Sequence, residues 1–285
     1  MNIIKAHNLA CPIDGLQLEP HEKQLVCENG HVFDIARQGY VNLLPVQHKR
    51  TKHPGDSKEM VLARAQFLNS GIYEPIAKKL TELVSSQVIE DTETCFMDAG
   101  CGEGYYFDGL FDFLRDKRGD NILSFIGLDI SKDAIVQASK RNKQISWVVG
   151  TNRQPPVAAE SVDIIICLFG FLSIEGFSKV LKSGGKIILV DPGPEHLKEL
   201  REIIYPQIKN PEQPNSAQME LTGFSPVKTE RLQFKTNITG NQQVNHLLVM
   251  TPHFYRASKE GREAACKLDN LNITVDVIFR VFEKI

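Results

Sequence analysis

Two groups of residues have the types and spacing to do chemistry. The first is Asp98-Ala99-Gly100-Cys101-Gly102-Glu103-Gly104, an acid followed by three glycines at alternate positions. Missing side chains at this spacing let the backbone turn sharply and bring its N–H groups close to a ligand. A second acid, Asp129, closes the apolar run 124–128, somewhat more than the usual interval of about 20 residues beyond the last glycine. At a strand end its carboxylate would accept both ribose hydroxyls of an adenosine. The second group is Cys11, Asp14, Cys27 and His31. Spacings of three and four residues put two donors on one side of each of two turns, so four donors could converge on one tetrahedral zinc ion. The alternative is a small turn-rich module held by apolar packing through Leu16, Leu18, Val26, Val32 and Phe33.

Both groups need elements that end at them. Cys95, Phe96 and Met97 form a short apolar run that suits a strand buried on both faces, and it leads into the glycine turn. Residues 105–114 read as an amphipathic helix whose first N–H groups point into that turn, followed by a polar loop over 115–121. Further strands are predicted at 145–149, 162–171 and 186–190, with helices at 132–142 and 176–181 and another ending near Tyr205. This alternation is that of a doubly wound parallel sheet of the α/β class. Residues 57–70, with Ser57 as N-cap, and 73–85 read as helices over the edge of the cleft. Strands at 227–236 and 275–282 around a helix at 241–250 would complete the sheet. The Pro-rich stretch 210–216 reads as a mobile loop over the substrate side.

Composition narrows the setting. At 285 residues, 42% hydrophobic and 24% charged, with a net charge of −2, the chain is an ordinary soluble protein, and any polyanion site must be local. Its longest apolar run, 164–172, is too short to cross a bilayer, and the N-terminus lacks a signal-peptide layout, so a cytoplasmic protein with no membrane partner is expected. The six cysteines show no disulfide framework and read as reduced thiols. His48, Lys49, Arg50 and Lys52, with His53, form the dense basic cluster of the chain. It is either a solvated linker or a set of phosphate contacts.

The form Asp-Ala-Gly-Cys-Gly-Glu-Gly, with an acid before the first glycine and no Gly-x-Gly-x-x-Gly spacing, resembles motif I of class I S-adenosylmethionine-dependent methyltransferases. Several further motifs accompany it: Cys11-x-x-x-Gly15, Cys27-x-x-x-His31, the run from Gly39 to Arg50, Pro54-Gly55-Asp56-Ser57, Ala63-Arg64-x-x-Phe67-Leu68, Gly71-x-Tyr73 and Pro192-Gly193-Pro194-x-His196-Leu197. With these the chain resembles, over nearly its whole length, the bacterial 23S rRNA guanine-N1 methyltransferases. The resemblance implies a Rossmann-like class I methyltransferase sheet ending in an antiparallel pair. It divides the chain into a zinc-ribbon-like RNA-recognition module (1–45), a basic linker with a covering helix (46–75) and the methyltransferase domain (76–285).

It also implies S-adenosylmethionine as cofactor, zinc in the module, and N1 of a guanine in a hairpin loop of 23S rRNA as methyl acceptor. By resemblance the cofactor contacts fall on Tyr73, Gly102, Glu103 and His196. The residues themselves add Asp98, Gly100, Gly104 and Asp129, with Thr151 and Asn152 beside the adenine. The chain departs from the family at Asp14, where the pattern has a cysteine. Guanine N1 carries a proton at neutral pH, so attack on a sulfonium methyl group calls for a base. His196, Glu103 and Asp191 are the ionisable candidates, and the sequence singles out none. The same core could also serve a methyltransferase of small molecules or proteins, or a silent RNA-binding protein, although the intact glycine turn argues against the last. A homodimer is left open.

Overall fold

The computed structural model describes residues 4–48, 51–89, 92–118, 123–205 and 222–285. Its centre is an eight-stranded sheet, built around a strand from Thr94 to Ala99 (β5) that is buried at all six positions. Alternation along β5 sends Phe96 to one apolar cluster and Cys95, Met97 and Ala99 to another on the opposite face. Beside β5 run β6 (Leu123–Asp129) and then β7 (Ser146–Val149), all parallel. On its other side lie β8 (Val162–Leu168) and β9 (Leu181–Pro192), also parallel. The chain reverses its direction of travel across the sheet at β5, and in such sheets ligands bind at the carboxyl ends of the strands beside that point. Two long strands, β10 (Phe224–Thr239) and β11 (Asn270–Lys284), form the expected antiparallel pair, and β11 runs antiparallel to β9.

Helices α1 (Lys58–Asn69), α2 (Glu74–Ser85), α3 (Tyr105–Arg118) and α4 (Lys132–Arg141) cover the face that receives Phe96. Ser57 caps α1 by accepting from the Met60 N–H, as its position suggested, and Ser131 caps α4 through the Ala134 N–H. The predicted 115–121 loop gives way to helix as far as Arg118, because Arg115, Lys117 and Arg118 are good helix formers and Lys117 lies over the Phe113 ring one turn back. The rest of the chain forms α5 (Ile174–Val180), α6 (Lys198–Ile204), α7 (Asn241–Met250), and the unpredicted α8 (His253–Arg256) and α9 (Lys259–Cys266). β8 stops at Leu168 rather than continuing to 171, since Phe169 takes a left-handed backbone conformation, φ 49°. The Pro-rich stretch 210–216 lies outside the described residues.

The N-terminal segment contains a three-stranded antiparallel sheet of β1 (Glu19–His21), β2 (Gln24–Val26) and β3 (Val32–Asp34). It then contributes β4 (Tyr40–Asn42), which runs parallel beside β7 as the outermost strand of the large sheet. No strand is predicted there from the sequence. Tyr40 and Val41 are buried there, and Leu43 N–H bonds the Val149 carbonyl, so an open sheet edge is covered. Ser146 Oγ accepts from the backbone N–H groups of Lys5 and Ala6, both at 2.9 Å. Ile4, Leu9, Leu18 and Leu25 share one apolar cluster with Met97, Ile126, Val148 and Ile165 of the sheet. Burial of side chains of this size contributes roughly 1.5–3 kcal/mol each, so the segment draws its stability from the sheet face that it covers.

Candidate functional site

The glycine turn is fastened to β6 before it meets any ligand. The N–H groups of Gly100 and Cys101 both bond the Leu128 carbonyl, at 2.8 and 3.0 Å. Asp129 accepts from Gly102 N–H at 2.9 Å through Oδ2 and from Ser131 N–H at 2.7 Å through Oδ1. Each carboxylate oxygen keeps a second lone pair, so the acid can brace the turn and still accept from a ligand hydroxyl. The glycines differ in purpose. A Cβ on Gly100 would enter the open space between Gly170 and Asn152, 3.7 Å from the one and 3.9 Å from the other. A Cβ on Gly104 would strike Trp147 at 2.8 Å and Ala138 at 3.2 Å, so this position serves the packing of α3 on α4 and β7.

Above the turn opens a cleft of about 1340 Å³, lined by Tyr73, Asp98, Gly100, Gly102, Glu103, Asp129, Thr151, Asn152 and His196 among others. Of the predicted cofactor residues, Gly104 does not line it. Asp98 is 2% exposed and its Oδ1 has no hydrogen-bond partner. Burial and then the neighbouring Asp129 push its carboxyl up to about 8. Glu103, equally buried, is held by Arg141, whose Nη2 and Nε lie 2.5 and 3.1 Å from Oε2. Asn152 Nδ2 donates to the Phe171 carbonyl at 2.9 Å.

His196 is pinned from both sides. Its Nδ1 accepts from the Asp276 N–H at 3.3 Å, so Nε2 carries the proton and faces Tyr73 Oη at 3.4 Å. Burial brings its pKa down to about 4, and the ring is neutral. An orphaned buried carboxylate oxygen, an open glycine cradle and a strand-end acid fit a cationic nucleoside such as S-adenosylmethionine.

Sequence reasoning missed several residues of the cleft. Asp56 and Arg64 line it as an ion pair, Nη1 to Oδ2 2.5 Å, and Arg64 Nη2 also bonds the Met250 carbonyl at 3.1 Å. They are brought there by the Pro54–Ser57 loop, which seats Gly55 against Ser131 and lets Ser131 Oγ donate to the Asp56 carbonyl at 2.7 Å. Both residues stand in the quoted motifs, so that signal was present. Phe169 and Phe171, 42% and 54% exposed, project from the loop after β8. The Phe169 ring stacks on His196 at 6.0 Å, and the Arg153 guanidinium lies 4.7 Å from the Phe171 centroid. Arg153, Arg201 and Arg256 ring the cleft, and among the described residues none is paired with a carboxylate. Sequence positions so far apart gave no warning of this arrangement.

In the turns beside the N-terminal sheet the donor atoms of Cys11, Asp14, Cys27 and His31 all lie within 4.8 Å of one another. His31 Nδ1 is 3.5 Å from Cys11 Sγ, 3.3 Å from Cys27 Sγ and 3.0 Å from Asp14 Oδ2. Ligands about 2.0–2.3 Å from a tetrahedral zinc ion sit roughly 3.3–3.8 Å from one another, so the set needs little adjustment to close on one. Asn29 Nδ2 and Leu16 N–H hold the Asp14 carboxylate at 3.1 and 3.0 Å. All six cysteines are free thiols.

Of the predicted RNA contacts, Lys49 and Arg50 lie outside the described residues, His48 closes a short 3-10 turn, and Lys52 is exposed. No helix among the described residues is long and apolar enough to cross a membrane.

Residues 9–52 match the family described as "RlmA, N-terminal", a zinc ribbon, and residues 97–189 match "Methyltransferase domain", which implies S-adenosylmethionine as cofactor. A Bacillus subtilis (strain 168) protein provisionally named 23S rRNA (guanine-N(1)-)-methyltransferase YxjB is 30% identical over 271 residues, 94% of either chain. The 23S rRNA (guanine(748)-N(1))-methyltransferase of Streptomyces fradiae is 27% identical over 96% of this chain and 95% of its own. Among solved structures, the YcgJ protein of Bacillus subtilis aligns with TM-score 0.47 at 17% identity, over 72% of this chain and 97% of that one. The chain belongs to the 23S rRNA (guanine-N1) methyltransferase family.

Proposed function

We propose that this protein transfers the methyl group of S-adenosylmethionine to N1 of a guanine in a hairpin loop of 23S rRNA. The observation that carries this reading is a single cleft with two unlike halves. One half has the glycine turn, Asp98 and Asp129; the other has exposed Phe169 and Phe171 beside three arginines that have no carboxylate partner among the described residues. Relatives of the same length bear this activity in their names.

Bound S-adenosylmethionine supplies an electrophilic methyl group. The 100–102 turn seats the nucleoside, Asp129 accepts from the ribose hydroxyls, Thr151 and Asn152 flank the adenine, and Arg64 receives the methionyl carboxylate. Tyr73, Glu103 and His196 fix the walls around it. RNA is read chiefly at single-stranded loops, where bases can be splayed out and stacked on aromatic rings, which suits Phe169 and Phe171. Arg153, Arg201 and Arg256 take phosphates at the mouth, joined by the cluster His48, Lys49, Arg50 and Lys52. Lys52 lies four positions before the cleft-lining Asp56, a span of at most about 14 Å.

Residues 1–45 serve as the RNA-recognition module with Cys11, Asp14, Cys27 and His31 around zinc, 46–75 as linker and covering helix, and 76–285 as the methyltransferase domain of a cytoplasmic enzyme. Calorimetric titration with S-adenosylmethionine, then reverse transcription of treated 23S rRNA, tests the whole. One cofactor per chain and a new block at a single guanine are expected; cofactor binding with no block on any rRNA would refute the RNA substrate.

A further inference from the structure

Among the described residues, five carboxylates line the cleft: Asp56, Asp98, Glu103, Asp129 and Asp191. Asp56 is taken by Arg64 and Glu103 by Arg141. Asp129 spends one lone pair of each oxygen on the turn, and Asp98 is sealed beneath it at 2% exposure. His196 has a partner on each ring nitrogen. Asp191 differs from all of these. It stands at the carboxyl end of β9, where Arg280 Nη1 donates to its Oδ2 at 2.9 Å, while its Oδ1 has no donor among the described residues. Beside it, Phe169 N–H bonds the carbonyl of the preceding residue, Val190, at 2.9 Å, which ties the exposed ring to the same strand end. A non-glycine residue in the left-handed region stores strain that the surroundings must hold, and such strain gathers at functional sites.

We propose that Phe169 and Asp191 form the slot for the target base, with Phe169 as the stacking platform and Asp191 as the base that removes the N1 proton. This rests on the guanine-N1 reading above. The N1–H bond breaks and its proton passes to Asp191 Oδ1. The nitrogen electron pair forms the new bond to the methyl carbon, and the carbon–sulfur bond breaks with its pair left on sulfur. The products are neutral N1-methylguanine, a neutral thioether and a protonated Asp191, which returns its proton to water. Among the described residues, the titratable and charged groups facing Asp191 are Arg280 from β11 and the Cys167 thiol from β8. Burial raises the Asp191 carboxyl above its ordinary value, against the pull of Arg280, which strengthens it as a proton acceptor.

The test uses the full chain with a transcribed 23S rRNA hairpin, S-adenosylmethionine and mapping of the product. Asp191→Asn should lower kcat by roughly a hundredfold to ten-thousandfold, with cofactor affinity by calorimetry and hairpin affinity within threefold of wild type. Its residual rate should climb with pH toward the ionisation of guanine N1 itself, a slope that loss of packing would not produce. The double variant D191N/R280Q, which removes the orphaned cation, should show the same kinetic loss. Phe169→Ala should weaken hairpin binding without cofactor by roughly tenfold to a hundredfold, and Phe169→Trp should restore it. Variants of Asp191 that keep kcat within threefold, or that lose cofactor affinity in step with rate, overturn the assignment alone. A wild-type reaction without N1-methylguanosine overturns it together with the reading on which it rests.

Discussion

Alanine at Gly100 and alanine at Gly104 should fail in different ways. Gly104 has φ 87° and Gly100 φ 93°, so each substitution carries a backbone cost of about 1–2 kcal/mol. At 104 the new methyl would also lie 2.8 Å from Trp147 Cη2. The indole cannot retreat: it is fully buried and its Nε1 donates to the Asn142 carbonyl at 2.7 Å. Overpacking of this kind adds about 1–3 kcal/mol, for a total near 2–5 kcal/mol. At roughly 2–4 °C per kcal/mol in a chain of this size, Gly104→Ala should lower Tm by about 5–20 °C. Gly100→Ala meets ordinary contact distances of 3.7 and 3.9 Å, so its Tm should fall by about 2–8 °C. Its methyl occupies the cradle, however, and affinity for S-adenosylmethionine should drop at least about tenfold, a loss of about 1.4 kcal/mol. Thermal unfolding and calorimetry on the two variants decide the matter. Equal Tm losses, or unchanged cofactor affinity in Gly100→Ala, would refute this division between cradle and packing glycine.

Asp129→Ala removes the acceptor for the ribose and for two turn N–H groups. Charged hydrogen bonds are worth about 1.5–3 kcal/mol, so a tenfold to hundredfold loss of cofactor affinity is expected by titration, and unchanged affinity would take Asp129 out of the site. Replacing Arg153, Arg201 and Arg256 by glutamine, or Lys49, Arg50 and Lys52 by alanine, should flatten the salt dependence of RNA binding by somewhat under one unit of slope per lost phosphate contact. A slope that stays the same would make the replaced group a solvated surface. In the metal centre an oxygen donor stands in for a thiolate, so zinc should be held more weakly and with more pH dependence than by an all Cys/His set. Elemental analysis should find partial occupancy that Asp14→Cys raises; full zinc in the parent, with no gain in the variant, would show Asp14 to be a sufficient ligand.

Legibility in the sequence followed the range of the interactions. Asp98, Gly100, Gly102, Glu103 and Asp129 could be read because strand, turn and acid are local features, and the structure brings them to one cleft. The four donors of the N-terminal module were legible for the same reason, since each pair shares one turn. Tyr40–Asn42 was not, because two apolar residues make a strand only when the edge of β7 is there to pair with them. Nor was the occupation of Glu103, which depends on Arg141 from the far end of α4. The arginines at 153, 201 and 256 come round one cleft only after a loop, α6 and α8 fold over it.

Guanine-N1 methylation is tested most directly by mapping 23S rRNA from a strain lacking this gene. Reverse transcription should read through one hairpin guanine that blocks it in the parent strain, and the block should return with the wild-type gene but not with Asp129→Ala. Identical blocks in the parent and deletion strains, with or without the gene restored, would contradict the assignment of 23S rRNA as the substrate.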